Sequence, residues 1–330
     1  MKKLIYIFLF ALVCGQAKAQ NLTAEQEKQA KDLVKTYCEK LSELCQKPND
    51  TDTEPILQLF ANRRVNTYND LEQGYKELSI QLYLNRLSDV PKQEINIQFL
   101  EAVQTQPIEA VKNCGKTIAN ISLSKKIEFI GTKRTSKVTN NFYLTWDDKQ
   151  WKIYGIGREV QEDADIESLT PFEVWQKTLK QLGGKGKVWE GGTVLGYHDK
   201  REHSNSGYLN TNLSGFGTSA EKYIVNHILS YTYKQGIKKI KFESNENITL
   251  FFNDGTKENA SLCMEHTNKQ IAFKTAGGQE IKFEVFKLTA NSLILKVPNP
   301  DYNNANFVDM VSRKYPINKM VFWTHRFSTK

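Results

Sequence analysis

Between residues 237 and 297 the chain breaks into short runs, 237–243, 248–253, 260–266, 270–275, 280–287 and 292–297, in which apolar and polar residues alternate. Alternation with period two sends successive side chains to opposite faces of a strand. Runs spaced about eight to twelve residues apart, with turn signals between them, predict an antiparallel barrel or sandwich. Asn253-Asp254-Gly255 and Ala276-Gly277-Gly278 are the clearest of those turns, because tight hairpins need positive φ and hence Gly or Asn. Val188-Trp189-Glu190, continuing into Thr193-Val194-Leu195-Gly196-Tyr197, adds an earlier strand, and Lys319 to Phe327 a final one. If such a sheet closes, one face of every strand turns inward. The inward set is then Ile248, Leu250 and Phe252 on one strand and Ile281, Phe283 and Val285 on another. Trp189, Leu250, Phe252, Phe283 and Val285 are the expected lining of a pocket, while Lys282, Glu284 and Phe286 face away.

The first half has a different grammar. Thr23-Ala24-Glu25-Gln26 is a capping box, followed by Ala30, Val34, Cys38, Leu41 and Cys45 on one helical face. Residues 54–61 and about 70–87 also read as helical, the latter through Leu71, Tyr75, Leu78 and Leu82. Alternating strands follow: Ile95-Ile97-Phe99, then Ile121 to Phe129, then Phe142-Leu144-Trp146, which Asp147-Asp148-Lys149 turns back into Trp151-Lys152-Ile153-Tyr154. Helices ahead of an antiparallel meander make an α+β domain. An acidic polar stretch, 158–170, reads as a linker. Thr170-Pro171-Phe172-Glu173 opens a further helix, ended by Gly183-Gly184, and Thr218-Ser219-Ala220-Glu221 another over 219–235.

The amino terminus reads as an export leader: Lys2 and Lys3, an apolar run from Leu4 to Cys14, then the small-x-small site Ala17-Lys18-Ala19. Cleavage is expected between Ala19 and Gln20, with the mature protein working in the periplasm or at the cell surface or beyond it. The expected division is therefore a signal peptide at 1–19, an α+β domain at 20–157, a linker and helix at 158–184, and a β-barrel domain at 185–330. Lys2, Lys3 and Lys18 leave with the leader, so the formal charge of +8 falls to +5, 42 bases against 37 acids. That excess is dispersed, which argues against nucleic acid as a partner. No other run approaches the ~20 apolar residues of a membrane helix, so no span is expected.

Of five cysteines, Cys14 lies in the leader. The spacings of Cys38, Cys45, Cys114 and Cys263 match no zinc or redox motif, and no cofactor is expected. Seven residues apart on one helix, Cys38 and Cys45 are separated by about 10.5 Å of rise, beyond bridging distance. A disulfide in the first domain would join one of them, Cys45 ahead of Cys38, to Cys114; two free buried thiols are the alternative.

Two resemblances rest on these elements. The run of helices, Thr117–Gly131, Phe142–Trp146 and the closing Trp151-Lys152-Ile153-Tyr154 resemble the NTF2-like (cystatin-like cone) superfamily, over about 23–157. That resemblance implies a curved antiparallel sheet wrapped around helices and a cavity. Ile248 to Thr256, Leu288 to Leu295 and Gly186-Lys187-Val188-Trp189 are similar to the lipocalin-like barrel modules of exported bacterial proteins. The 219–235 helix departs from a plain barrel of that kind. Ser214-Gly215-Phe216-Gly217, Tyr223 to His227 and Ile271 to Lys274 faintly resemble the first half of trypsin-like serine proteases. However, Gln270 replaces the orienting acid and no Gly-x-Ser-Gly-Gly follows, so at most an inactive remnant is implied.

All five histidines lie in the second half. His198-Asp199-Lys200-Arg201-Glu202-His203 reads as a solvated loop rather than a metal site. Strand alternation makes Cys263 a small buried residue and His266 exposed. No catalytic set emerges. The pattern favours an exported non-catalytic protein that binds a small apolar ligand or an envelope or surface protein. The alternative is an enzyme using a carboxylate or tyrosine inside the cone.

Overall fold

A computed structural model describes residues 22–46, 52–71, 77–90, 94–147, 149–197, 210–212, 234, 236–298 and 322–329. The chain divides between Glu159 and Val160 into two compact units. The expected signal peptide, the His198–His203 segment expected as a solvated loop, and nearly all of the helix expected over 219–235, with its Thr218 capping box and His227, lie outside the described residues. Among those described, no helix is long and apolar enough to cross a membrane.

The first unit is α+β. Helix α1 (Ala24–Gln46) opens on the capping box: the Gln26 amide donates to Thr23 Oγ1 at 3.1 Å and the Thr23 amide to Gln26 Oε1 at 3.1 Å. Its apolar face, Ala30, Val34, Tyr37, Cys38, Leu41 and Cys45, is buried. A mixed seven-stranded sheet covers it, built from β1 (Asn66–Tyr68), β2 (Glu77–Ser79), β3 (Ile95–Phe99), β4 (Glu109–Asn113), β5 (Lys116–Phe129), β6 (Arg134–Trp146) and β7 (Trp151–Arg158). The order is β2-β1-β7-β6-β5-β3, with β4 also on β5, and only β1–β7 is parallel among the strand pairs. The fourteen-residue β5 is long enough to pair with β4 along its first part and β3 along its last. Ile121, Leu123 and Ile127 point from it into the core.

Two helix expectations are corrected. Only Glu54–Leu57 (α2) is helical in the 54–61 segment, because Phe60 bridges to Ile153 and Ala61 donates to the Ile153 carbonyl at 2.9 Å. In the 70–87 segment the helix is Ile80–Asp89 (α3), capped by Ser79 Oγ, which accepts from the Leu82 amide. Residues 77–79 instead pair with β1 as β2. Tertiary strand pairing overrides the local helical period.

The Cys45–Cys114 pairing is also corrected. Cys45 and Cys38 are free thiols buried on the core face of α1, and burial pushes the Cys38 thiol up to about 12. Cys114, with φ of 53° in the β4–β5 turn, takes part in a disulfide, but not with Cys45.

In the second unit, helix α4 (Pro171–Gln181) carries its predicted capping box: the Glu173 amide donates to Thr170 Oγ1 and the Thr170 amide to Glu173 Oε2. The acidic stretch before it is hydrogen-bonded into this unit. Lys269 donates to the Ile166 carbonyl at 2.8 Å and Lys177 to the Ala164 carbonyl at 2.6 Å, and Ile166 and Leu169 are buried.

The remaining strands are β8 (Val188–Tyr197), β9 (Asn210–Asn212), β10 (Ile237–Phe242), β11 (Asn247–Phe252), β12 (Lys257–Met264), β13 (Gln270–Thr275), β14 (Glu280–Leu288), β15 (Ser292–Pro298) and β16 (Phe322–Thr329). Strands β10 to β16 are neighbours in sequence order, β16 pairs with β8, and β8 pairs with β10. That closes eight antiparallel strands into an up-and-down barrel, with β9 as an appendage on β8. Ladder pairs Ile240–Leu250, Ile248–Ala260, Leu262–Phe273, Ile271–Phe283 and Val285–Leu295 share one buried face around the barrel. This is the inner face. Phe286 lies on the outer face yet is buried, because α4 and the 166–168 turn pack on β14. Cys263, expected to be buried, is half-buried on the outer face between Leu262 and Met264 and takes part in a disulfide. His266, expected to be exposed, is half-buried against Phe172 and Trp175.

Phe283→Ala is expected to cost about 2–5 kcal/mol in equilibrium unfolding, as large-to-small core changes do. Lys282→Ala, whose ammonium reaches Glu280 at 2.9 Å on an exposed surface, should leave the midpoint unchanged. Equal effects at the two positions would contradict the inward register of β14.

Candidate functional site

The five residues expected to line a pocket all stand on the inner face of the barrel. Trp189, Leu250, Phe252, Phe283 and Val285 are buried there. Trp189 belongs to the end where the chain enters β8: its indole N–H donates to the Leu182 carbonyl at 2.9 Å, and the Lys187 ammonium lies 4.5 Å from its ring centroid. The segment following α4 runs under that end. Gly183 approaches Phe242 so closely that a Cβ there would meet the ring at 3.1 Å. Leu182, Trp189 and Phe242, all fully buried, seal this end of the barrel.

The inner face is not wholly apolar. His325 pairs with Leu295 on one side and Val194 on the other, and Leu295 pairs with Val285. The imidazole therefore shares the inward register. It is 3% exposed and touches Phe283 edge-on with centroids 5.7 Å apart; Phe283 in turn touches Phe273 at 5.9 Å. Its Nε2 has no hydrogen-bond partner among the described residues. Desolvation alone pushes the imidazole down to about 4, so it is neutral near pH 7. A neutral imidazole in apolar surroundings can offer one hydrogen bond to a molecule beside it. The spacing of His325 between Trp323 and Phe327 is the signal that places it on an inward strand face.

A second polar group lies inside the first unit. Lys125 follows Ile121 and Leu123 on the inward face of β5. Its Nζ is 2.6 Å from Asp70 Oδ2, with the side chains 4% and 1% exposed. The Tyr83 hydroxyl, from α3, donates to Asp70 Oδ1 at 3.1 Å and lies 3.4 Å from Nζ. Burial, then the charge of Asp70, raises the Tyr83 phenol well above its ordinary range; the Tyr37 phenol beside it is raised for the same leading cause. On this apolar strand face stands the cation, and the acid comes from residue 70, outside the β5 strand. The lysine within the Ile121-to-Phe129 alternation was the available signal.

Among the described residues, no group of three His, Cys, Asp or Glu side chains could hold a metal ion. An open cleft of about 520 Å³ lies by Glu243, Asn247, Asn259 and Lys274. Neither His325 nor the Lys125, Asp70 and Tyr83 group lines it. The protease-like segment Ile271–Lys274 forms the middle of β13 in the closed barrel; its other parts lie outside the described residues.

No protein-family profile and no curated protein matches the chain. Solved structures similar to part of it include NTF2-like and cystatin-like proteins. An NTF2-like protein of unknown function from Pseudomonas putida KT2440 shares 7% identity over 43% of this chain and 92% of its own, with a TM-score of 0.32. A protein of unknown function with a cystatin-like fold from Nostoc punctiforme PCC 73102 shares 11% identity over 43% and 96%, with a TM-score of 0.30. An NTF2-like protein of unknown function from Shewanella baltica OS155 shares 16% identity over 43% and 98%, with a TM-score of 0.27.

Proposed function

We propose that the chain is an exported binding protein whose barrel takes up one small, mainly apolar molecule, with His325 as the polar anchor. The observation that carries this reading is the unpartnered Nε2 of the buried His325, which shares the inward register with Leu295 and Val285 and has the Phe283 ring against it. A buried polar atom without a partner costs about 1–3 kcal/mol, and a ligand group that meets it recovers that cost. Eight strands enclose a space that side chains fill or that holds one small ligand. Small-molecule sites have this composition, apolar walls with few polar anchors. Export is supported by the leader pattern ahead of Gln20 and by the oxidised state of Cys114 and Cys263, since disulfides persist outside the reducing cytosol.

The test uses an uncharged aryl-naphthylamine dye, whose emission rises in apolar surroundings and whose single N–H can donate to an imidazole. The full chain should bind one dye molecule saturably. His325→Phe, which keeps the ring's bulk, should weaken binding about tenfold, the equivalent of one hydrogen bond. Leu250→Trp should abolish it, and Lys282→Ala should leave it unchanged. Dye binding indifferent to both His325→Phe and Leu250→Trp would sink the reading.

A further inference from the structure

The buried group in the first unit supports a chemical event independent of the barrel. Lys125 Nζ and Asp70 Oδ2 are 2.6 Å apart and shielded from water. The Tyr83 hydroxyl is fixed on the other carboxylate oxygen at 3.1 Å. Tyr37, Cys38 and Cys45 surround the three, and each of these is itself buried. A charged pair removed from water is penalised unless its geometry and hydrogen bonds compensate. One proton transfer across the 2.6 Å contact produces a neutral amine beside a neutral carboxylic acid. A neutral amine held against a carboxylic acid, without water and without freedom to separate, has a very high effective concentration for attack.

We propose that Lys125 and Asp70 condense in the folded protein into an intramolecular amide joining Nζ to Cγ, assisted by the Tyr83 hydroxyl. The step is balanced without a co-reactant. The Lys125 ammonium gives a proton to Asp70 Oδ2, and the nitrogen lone pair attacks Cγ as the carbonyl electrons move to Oδ1. The Cγ–Oδ2 bond then breaks, and Oδ2 leaves as water with a second proton taken from nitrogen. Oδ1 becomes the amide oxygen, and Tyr83 donates its hydrogen bond to the atom on which negative charge develops. The raised Tyr83 phenol keeps the proton it needs for that role. The product removes both buried charges at once. It also ties Asp70, two residues beyond the end of β1, to the middle of β5 across 55 positions of sequence.

The experiment is intact-mass measurement of the folded full chain under reducing conditions, followed by tryptic mapping. The chain should be lighter by one water than its sequence mass. Cleavage after Lys125 should be blocked, and a branched peptide should join the Asp70 and Lys125 segments. Lys125→Met and Asp70→Ala should each restore the full mass. Tyr83→Phe, which keeps the ring, should slow the appearance of the branched peptide about a hundredfold, as losing one oxyanion donor does. Wild-type protein at full mass with both peptides unlinked would overturn the proposal, and so would a water loss mapped to any other residues.

Discussion

Measured against the freshly folded chain, in which Lys125 and Asp70 are still an ion pair and no amide has formed, Lys125→Met is expected to destabilise the first unit by about 3–5 kcal/mol, the typical cost of removing one partner of a buried ion pair. Asp70 would keep its place with a side chain 1% exposed, with the Tyr83 hydroxyl as its one remaining partner from the group. The double replacement Asp70→Leu with Lys125→Met should recover more than half of that loss, since apolar substitutes for a buried pair are often neutral or better. Urea unfolding of the full chain, read through the first-unit transition, separates the two. A small and equal loss in the single and double variants would mean that the pair is open to water.

The second large effect is pH dependence from His325. In the unfolded chain this imidazole takes up its proton near the ordinary 6.5, whereas in the barrel it does so only near 4. Between those values the unfolded state holds more protons than the folded one, so stability rises with pH there. The contribution is complete above about pH 6.5 and disappears as pH falls through about 4. At roughly 1.4 kcal/mol per unit it amounts to about 3 kcal/mol. Among the described residues, desolvation is the cause of the shift: Leu295 and Val194 pair with His325 across the ladders, and the ring in contact is Phe283. His325→Phe should flatten the stability profile between pH 7 and pH 4. An unchanged acid slope in that variant would mean that the imidazole titrates in water.

Sequence reasoning reached what local chemistry governs. The Thr23 and Thr170 capping boxes, the hairpin turns closing on Gly255 and Gly278 (both at positive φ), and the alternation of Ile248, Leu250 and Phe252 are set by neighbours a few residues away. Where a distant partner decides, the local pattern misled. Leu71, Leu78 and Leu82 keep helical spacing, but β1 draws residues 77–79 into a strand. Cys45 lies at a plausible sequence distance from Cys114, but its helix face turns it into the core. The polar groups escaped for the same reason. Asp70 meets Lys125 only after the 54 residues between them have folded, and neither belongs to a motif. His325 gains its character from closure of a barrel around it, which no single strand displays. Strand β4, with Ala110 and Val111 adjacent, has almost no alternation to reveal it.

The measurement that most directly tests the account is an NMR titration of the His325 imidazole in the full chain, assigned by loss of its signal in His325→Phe. The account predicts a midpoint near 4 in the free protein, and an Nε2 resonance that moves when saturating aryl-naphthylamine dye is added. A midpoint at the ordinary 6.5, with no response to the dye, would contradict an interior imidazole waiting for a ligand.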